Sequence, residues 1–534
     1  MMIRLIVVSI AISFAFTGFG QVPPIVWQST FGNTGNEVMH SIAATADGNF
    51  MVMGIADVNG DEVDCDLKGQ HDVWIFKMTP TGSIIWQKCF GGSKEEANPY
   101  NKIIATSDGG SMFISESWSK DFDATGHHKY SDVLTIKLDA NGNVEWKKSF
   151  GGKFYDVPRN LLELPGKRYV IVSRSTSSDG DVPPNMDPVK FDAWVFIVNQ
   201  MGAIICNNVY GGTGDDDLYK VLQDNEGNLV LFGQTTSMDG DLEGQIVEGT
   251  DAWLLKIDTT GNVLSSKVYG QSNNEAWRDA LPAPNGGYFA FGITEDPGVL
   301  VDKGSYHGDD DLWAVKLDGN YNMQWQGVYG GSERETMMQA VAAPGNSGFY
   351  LAGGTYSVDG DVVKPSSNGN DEYVVKISPN GTLLWSFTHG GTEKDYANAI
   401  TATGLVAGVA YSTDGDVIGG AGNGDGWIYK FKDKKTTLNQ KQYEYPEGYN
   451  GKVVLQILPN PARDLVAIDF GGINGIFEMV LLDVTGKIMM QKTISLDGSK
   501  RDESIDVSAF DDGFYILQVT GEKLFQSVQM IISR

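Results

Sequence analysis

The chain has 534 residues, and 68 Asp plus Glu against 40 Lys plus Arg give it a formal net charge of −28. That length exceeds one ordinary domain, so at least two folding units or one large repeat array are expected. With 41% hydrophobic and 20% charged residues, the composition is that of a folded protein and not of a disordered one. The acid excess argues against binding nucleic acid or docking on an anionic membrane, since both need clustered Lys and Arg. Cys65, Cys89 and Cys206 are too few for a dense disulfide framework or a four-cysteine zinc site.

At the start, Arg4 precedes an apolar run over residues 5–16, and Thr17-Gly18-Phe19-Gly20 follows before Gln21. A positive start, a short apolar stretch and small residues at a cleavage point predict a signal peptide over residues 1–20 and a mature protein outside the cytoplasm. The run is too short to span a bilayer, and no later segment reaches the roughly 18 apolar residues of a transmembrane helix.

From residue 21 to residue 431 the chain repeats one unit seven times. An aromatic residue or His followed by Gly recurs every 59 or 60 residues, at Phe31, Phe90, Phe150, Tyr210, Tyr269, Tyr329 and His389. A second marker with the same period is an Asp two residues before a large side chain: Asp72, Asp132, Asp192, Asp251, Asp311, Asp371 and Asp425. Each unit reads as four short alternating strands, with Asn-Gly or similar turns at Gly82, Gly142, Gly202, Gly261 and Gly381. Seven four-stranded units predict an all-β, seven-bladed β-propeller. The last unit stops after Asp425-Gly-Trp-Ile-Tyr-Lys-Phe431 and lacks its fourth strand, while a surplus strand, Ile25-Val-Trp27-Gln-Ser-Thr-Phe31, begins the array. Pairing the two would close the ring and remove both exposed edges.

The period ends there. Residues 432–454 form a polar linker, and residues 455–534 alternate strands with turns at Gly471-Gly472, Thr485-Gly486 and Asp512-Gly513, which predicts a small β-sandwich of about seven strands. Pro459-Asn460-Pro461-Ala462, Asp483-Val-Thr-Gly486-Lys487, Gly513-Phe-Tyr515 with Gly521, and a final apolar strand over residues 528–532 follow in order. This segment resembles the C-terminal type A sorting domain of cargo of the type IX secretion system of Bacteroidota. The resemblance implies the type IX machinery as a partner, export across the outer membrane, removal of the domain, and either release or attachment to surface lipopolysaccharide.

Residues 21–431 carry a net charge of −27, and the acids follow the repeat. Six residues past each aromatic marker stands Glu37, Glu96, Asp156, Asp216, Glu275, Glu335 or Asp395, which predicts an acidic ring at one mouth of the central channel. A second set lies between the second and third strands: Asp179-Gly-Asp181, Asp239-Gly-Asp241, Asp359-Gly-Asp361 and Asp414-Gly-Asp416, with variants around Asp57, Asn59 and Asp61 and at Asp121-Phe-Asp123. Two readings fit these loops. Asp and Asn cap turns by bonding nearby backbone, the favoured reading; closely spaced oxygens around a glycine also suit calcium, the one cofactor the sequence suggests. The Asp before each large residue reads as an acceptor tying loop amides.

Period-locked Trp residues (Trp27, Trp86, Trp146, Trp325 and Trp385 in one register, the Trp74 set in another) are expected to fill contacts between blades. Trp118, Trp277, Tyr306 and His307 fall outside those registers and are the candidates for exposed binding aromatics. For catalysis, the six His include only one adjacent pair, His127-His128, and no HExxH or GxSxG element occurs. The arginines of the array, Arg159, Arg168, Arg174, Arg278 and Arg334, read as scattered without a repeat relation. No catalytic residue is expected. The function that follows is a secreted or surface recognition or adhesion module for a glycan or protein, with a hydrolase using a carboxylate pair on the acidic face as the alternative. Cys65 and Cys89 lie in one blade and can pair, leaving Cys206 free.

Overall fold

A computed structural model describes residues 23–433, apart from 33–34, 58–62, 186, 188, 271–272, 284–285, 296–302, 305 and 364–369, together with the strands from residue 456 to residue 532 and parts of their connections. The signal peptide, most of the linker, Asn59, Asp61 and the motif at residues 459–462 lie outside the described residues. Chain contacts divide the molecule between Thr436 and Thr437.

The first unit consists of seven four-stranded antiparallel sheets, one per repeat. Blade 1 contains Val38–Ala44, Phe50–Ala56, Asp72–Met78 and Ile84–Phe90 in that order. The same order recurs in blades 2 to 6, whose first strands are Lys102–Ala105, Asp156–Leu164, Asp216–Gln223, Glu275–Pro282 and Glu335–Ala342. Each first strand touches the first strands of the adjoining blades, so these seven line the axis. Blade 5 adds a two-residue strand, Lys303–Gly304, parallel to its fourth.

Blade 7 is assembled from both ends of the array. Asp395–Ile400, Leu405–Ala410 and Asp425–Phe431 supply three strands, and Ile25–Phe31 pairs antiparallel with the last, Gln28 opposite Tyr429. A side-chain bond marks the closing strand as the genuine fourth one. In four blades the indole N–H of the third-strand Trp donates to a polar side chain on the fourth strand: Trp74 to Gln87 Oε1 (2.8 Å), Trp194 to Asn207 Oδ1 (2.7 Å), Trp253 to Ser266 Oγ (3.0 Å) and Trp313 to Gln326 Oε1 (3.0 Å). In blade 7 the donor is Trp427 and the acceptor is Gln28 Oε1, at 3.0 Å, from the other end of the array.

The aromatic markers fill the joints between blades, as their period requires. Trp74, Trp194, Trp253, Trp313 and Trp427 are at most 2% exposed. The fourth-strand Trp of one blade lies over the turn glycine of the next, Trp86 on Gly142 and Trp325 on Gly381, where an added Cβ would stand 2.8 and 2.7 Å from the ring. Cys65 and Cys89 form a disulfide within blade 1, and Cys206 is free.

The second unit has two antiparallel sheets, one of Gln456–Leu458, Leu465–Asp469 and Asp502–Asp506, the other of Ile488–Asp497, Asn474–Asp483, Gly513–Gly521 and Leu524–Ile532. Their shared core holds Ile468, Met479, Leu481, Ile505, Leu517 and Val519, the expected small seven-stranded sandwich.

Ring closure through Gln28 makes a measurable claim. Gln28→Ala leaves a buried indole N–H unpaired and should lower stability by about 1–3 kcal/mol, as should Gln87→Ala in blade 1. Thermal unfolding of both variants checks this; a silent Gln28→Ala beside a damaging Gln87→Ala would show that the first strand does not close the ring.

Candidate functional site

The repeat acids sit at the joints. All fourteen, the set from Glu37 to Asp395 and the set from Asp72 to Asp425, are at most 2% exposed. Glu96 Oε2 accepts the Gly92 amide at 3.0 Å and Oε1 the Ser117 hydroxyl at 2.8 Å. Asp156, Asp216 and Asp395 repeat this with Gly152, Gly212 and Gly391, at 2.7, 2.9 and 2.9 Å, and with the hydroxyls of Ser177, Ser237 and Ser412. Glu335 accepts Gly331 N at 3.0 Å, and Glu275 the Thr294 hydroxyl at 3.0 Å. The expected acidic channel mouth is therefore corrected: five of these acids start the axial strands and Glu37 and Glu96 precede theirs, but the bonded carboxyls turn into the joints to meet the glycine amides and the hydroxyls at the end of the second strand. Glu37 is buried in the same register.

At six joints the second acid of one unit meets the first acid of the next across a glycine. An added Cβ on Gly91 would stand 2.4 Å from Glu96 Oε2 and 2.5 Å from Asp72 Oδ1; on Gly151, 2.7 Å from both Asp132 and Asp156. Gly32, Gly270, Gly330 and Gly390 lie between Asp425 and Glu37, Asp251 and Glu275, Asp311 and Glu335, and Asp371 and Asp395. At six of the seven markers the following residue is thus a glycine because two buried carboxyls leave no room for a side chain; at Gly211 Asp216 alone stands within 2.3 Å of an added Cβ. The Asp partners hold the loops before their own strands, accepting Lys68 N (Asp72, 2.6 Å), His128 N (Asp132, 3.0 Å), Glu248 N (Asp251, 3.0 Å) and His307 N (Asp311, 2.8 Å). Burial raises Asp156 to about 7 and Asp251 to about 6, and raises Asp72, Glu96, Asp216 and Asp395 as well.

The Asp-Gly-Asp loops are hooks on the same joints. Asp179, Asp239, Asp359 and Asp414 accept the amides of Lys153, Thr213, Ser332 and Thr392 at 2.7–2.8 Å. The amides of Asp181, Asp241, Asp361 and Asp416 donate to the carbonyls of Gly151, Gly211, Gly330 and Gly390 at 2.8–2.9 Å. Each hook fastens one blade to the crossover leaving the preceding one. The middle residue is left-handed, with φ of 67°, 62°, 64° and 67° at Gly180, Gly240, Gly360 and Gly415; blade 2 places Phe122 there at φ 52°, with the same bonds from Asp121 to Ser93 N and from Asp123 N to Gly91. Asp57 accepts Asn36 N at 2.8 Å. Among the described residues no group of three or more His, Cys, Asp or Glu is placed to hold a metal ion.

What breaks the repeat gathers at the axis, on blades 2 to 5. First strands of six blades carry a bulge nine residues past the aromatic marker, and the bulged residues are His40, Arg159, Tyr219, Arg278, Met338 and Asn398. Arg159 is held by Asp217, with Nε at 2.9 Å from Oδ1 and Nη2 at 2.9 Å from Oδ2. Its guanidinium lies 4.7 Å from the Tyr100 ring and 5.2 Å from that of Tyr219, which are 5.1 Å apart. Tyr100 belongs to blade 2 and Tyr219 to blade 4, so their contact crosses the front of blade 3. Arg278 also lies 4.1 Å from the Tyr219 ring and donates to Gln234 Oε1 at 2.9 Å. Arg174 reaches Asp217 at 3.3 Å, and Lys220 pairs with Asp279 at 2.7 Å. Burial, and then the charge of Lys220, lowers Lys102 to about 8. The arginines read as scattered are corrected here: Arg159 and Arg278 are two repeats apart in one register, and Arg174 joins them from the adjacent strand.

Residues 456–533 match the family model described as the secretion system C-terminal sorting domain. The chain carries a type IX sorting domain. It is accordingly a secreted or cell-surface protein, and no helix among the described residues is long and apolar enough to cross a membrane. A curated relative is the regulatory protein FlaEY of Caulobacter vibrioides, 25% identical over 269 residues, 46% of this chain and 27% of that protein. Solved structures similar to this chain include BBS1N in complex with ARL6DN (10% identity, TM-score 0.36, 77% of this chain and 97% of that one) and the α-L-arabinanase of Penicillium chrysogenum (8%, 0.33, 76% and 98%). Another is the parainfluenza virus 5 hemagglutinin-neuraminidase ectodomain (8%, 0.36, 77% and 83%). Likenesses this distant carry no argument about chemistry.

The remaining candidates divide. Trp277, expected to be exposed, is 0% exposed and packs between Tyr269 and Trp313 in the joint of blades 4 and 5. Trp118 is half-buried, edge-on to Tyr155, which also meets Tyr130. His307 ties its loop to Asp311, as His128 does to Asp132, and His127 bonds Ser117 O at 2.9 Å. Tyr306 is 37% exposed.

Two measurements test the joint chemistry. Gly415→Ala meets both a left-handed φ and a Cβ placed 2.4 Å from Gly390 O, and should cost about 2 kcal/mol or more; Phe122→Gly relieves the matching strain in blade 2 and should gain about 0.5–1 kcal/mol. Buried acids with raised pKa values bind protons more tightly folded than unfolded, so their contribution is full below about pH 4 and falls as pH rises through 6 to 7. His40, lowered to about 4 by burial, opposes this between pH 4 and 6.5 but is outnumbered. The melting temperature should therefore fall between pH 5 and pH 8, and Asp156→Asn should flatten that slope.

Proposed function

We propose that this chain is a non-catalytic recognition module, a propeller delivered to the cell exterior by its sorting domain and binding through the face of the ring that carries the hooks and the axial cluster. One observation carries the reading. The repeat acids, which supply the paired carboxyls of the alternative hydrolase, are buried and bonded to glycine amides, serine and threonine hydroxyls and loop amides. A retaining or inverting glycosidase needs two carboxyls open to the substrate, and buried acids in near-identical surroundings do not divide into an acid and a nucleophile.

Departures from the repeat concentrate instead on blades 2 to 5, in Tyr100, Arg159, Arg174, Tyr219 and Arg278. Arginines and aromatic rings on a fixed scaffold are groups that bind ligands without chemistry. The carboxylates of the Asp-Gly-Asp loops already serve backbone amides, which supports hooks over calcium ligands there.

The test uses the purified chain on a glycan array and, in parallel, against the same glycans in a reducing-end release assay. Retention of a glycan class without turnover is the expected result, and release of reducing ends from a bound glycan would replace this reading with the hydrolase. Thermal unfolding in calcium and in excess chelator should give coincident melting temperatures; a concentration-dependent rise with calcium would return the loops to metal binding.

A further inference from the structure

We propose that the axial cluster of blades 2 to 5 is an anion-binding site that takes the carboxylate of a uronic-acid-type sugar, with the exposed part of Arg278 and Arg174 on the carboxylate and Tyr100 against the sugar ring. This rests on the recognition reading above and names the ligand class of that same ring.

The first support is charge balance. Five cations meet at the axis: Lys102, Arg159, Arg174, Lys220 and Arg278. Asp217 answers Arg159 and Arg174, and Asp279 answers Lys220. Arg278 is bonded to the neutral Gln234, and no carboxylate of the described residues lies within ion-pair distance of Arg278 or Lys102. Glu116 accepts Asn98 Nδ2 at 2.7 Å; burial outweighs the charges of Arg159 and Arg174 that it feels and raises its pKa, which disfavours its charged form. A positive surplus is thus held at the centre of a propeller whose formal charge is strongly negative. Cations crowded so closely repel one another, and a bound anion would relieve that repulsion.

Unfilled bonding capacity is the second support. Arg174 stacks on Phe191 at 4.0 Å, and its Nε is buried with no hydrogen-bond partner. Arg278 is half-buried and uses Nη1 on Gln234. A guanidinium fork binds a carboxylate through two parallel N–H groups.

The third support is access and shape. Tyr100 is half-buried, and Pro99 beside it is exposed. The opposite side of the ring presents Met338 and Asn398 at the same bulge register, so the charge is one-sided. A ligand with one anionic group and one flat or apolar face fits that division, its ring lying on tyrosine and its carboxylate on arginine.

Isothermal titration of the purified chain with D-glucuronate, D-glucose and inorganic sulfate tests the site, alongside Arg278→Gln, Lys102→Gln and, as a control at the far end of its strand, Arg168→Gln. Glucuronate should bind, glucose should not, and affinity should fall at least ten-fold in Arg278→Gln and on raising NaCl from 20 to 500 mM, while Arg168→Gln stays as the parent. Lys102→Gln gives a second reading if Arg278→Gln fails to melt cooperatively. Equal binding of sulfate and glucuronate would overturn the sugar-ring contact. No binding of either, or binding indifferent to both axial substitutions, would overturn the site. Capture of neutral glycans on the array with no glucuronate binding would overturn this site alone and leave the recognition reading standing.

Discussion

A glycine wedged between two buried carboxyl groups is the constraint on which the propeller depends. At the joint after blade 1, Gly91 stands between Asp72 of that blade and Glu96 of the next, so close that a Cβ would stand about 2.5 Å from each. One acid holds the loop leading into its own third strand, and the other holds the amide after the glycine. The hook of the next blade then grips the same crossover by its carbonyl. Three elements distant in sequence are fixed at one point, and the ring closes because blade 7 makes the same joint with blade 1, through Asp425, Gly32 and Glu37.

Burying so many carboxyls is costly unless their bonds are supplied and their charge reduced. Glycine amides and strand hydroxyls supply the bonds, and the raised pKa values of Asp156, Asp251 and their equivalents reduce the charge. The formal count of −28 therefore includes fourteen repeat carboxyls that the fold keeps away from solvent. Much of the acid excess is internal architecture, which is why it predicts a partner poorly.

The period carried most of the fold into view from sequence. Aromatic-Gly and Asp markers gave the blade number, and the missing fourth strand of blade 7 gave the closure, later fixed by the Trp427–Gln28 bond. The same markers misplaced the acids. Period fixes the place of Glu96 or Asp216 in the repeat but not which way the carboxyl turns, and that is decided by glycine amides a few residues back and by Ser117 or Thr235 on the second strand. Trp277 was misjudged for a related reason: it stands on a first strand and not on the third or fourth that carry the periodic tryptophans, yet it packs into the same joint against Tyr269 and Trp313. The axial cluster was hidden because arginines were sought as a local motif, while Arg159 and Arg278 meet around Tyr219 through the curvature of the ring. Comparing the residue nine positions past each marker, where His, Pro, Arg, Tyr, Arg, Met and Asn succeed one another, would have exposed it.

That variable position is where the fold can vary at low cost. A bulged residue gives up its place in the ladder between the first two strands, and on these axial strands its side chain reaches a neighbouring blade: Arg159 to Asp217, Arg278 to Gln234 and Asn398 to the Met39 carbonyl. Neither the carboxyl pairs nor the tryptophan bonds touch it. Six bulges around one axis therefore offer positions whose chemistry is set independently of the frame, whereas any change at the glycine, the two acids or the hook is felt by two blades at once. Specificity in such a ring belongs at the axis, and regularity belongs everywhere else.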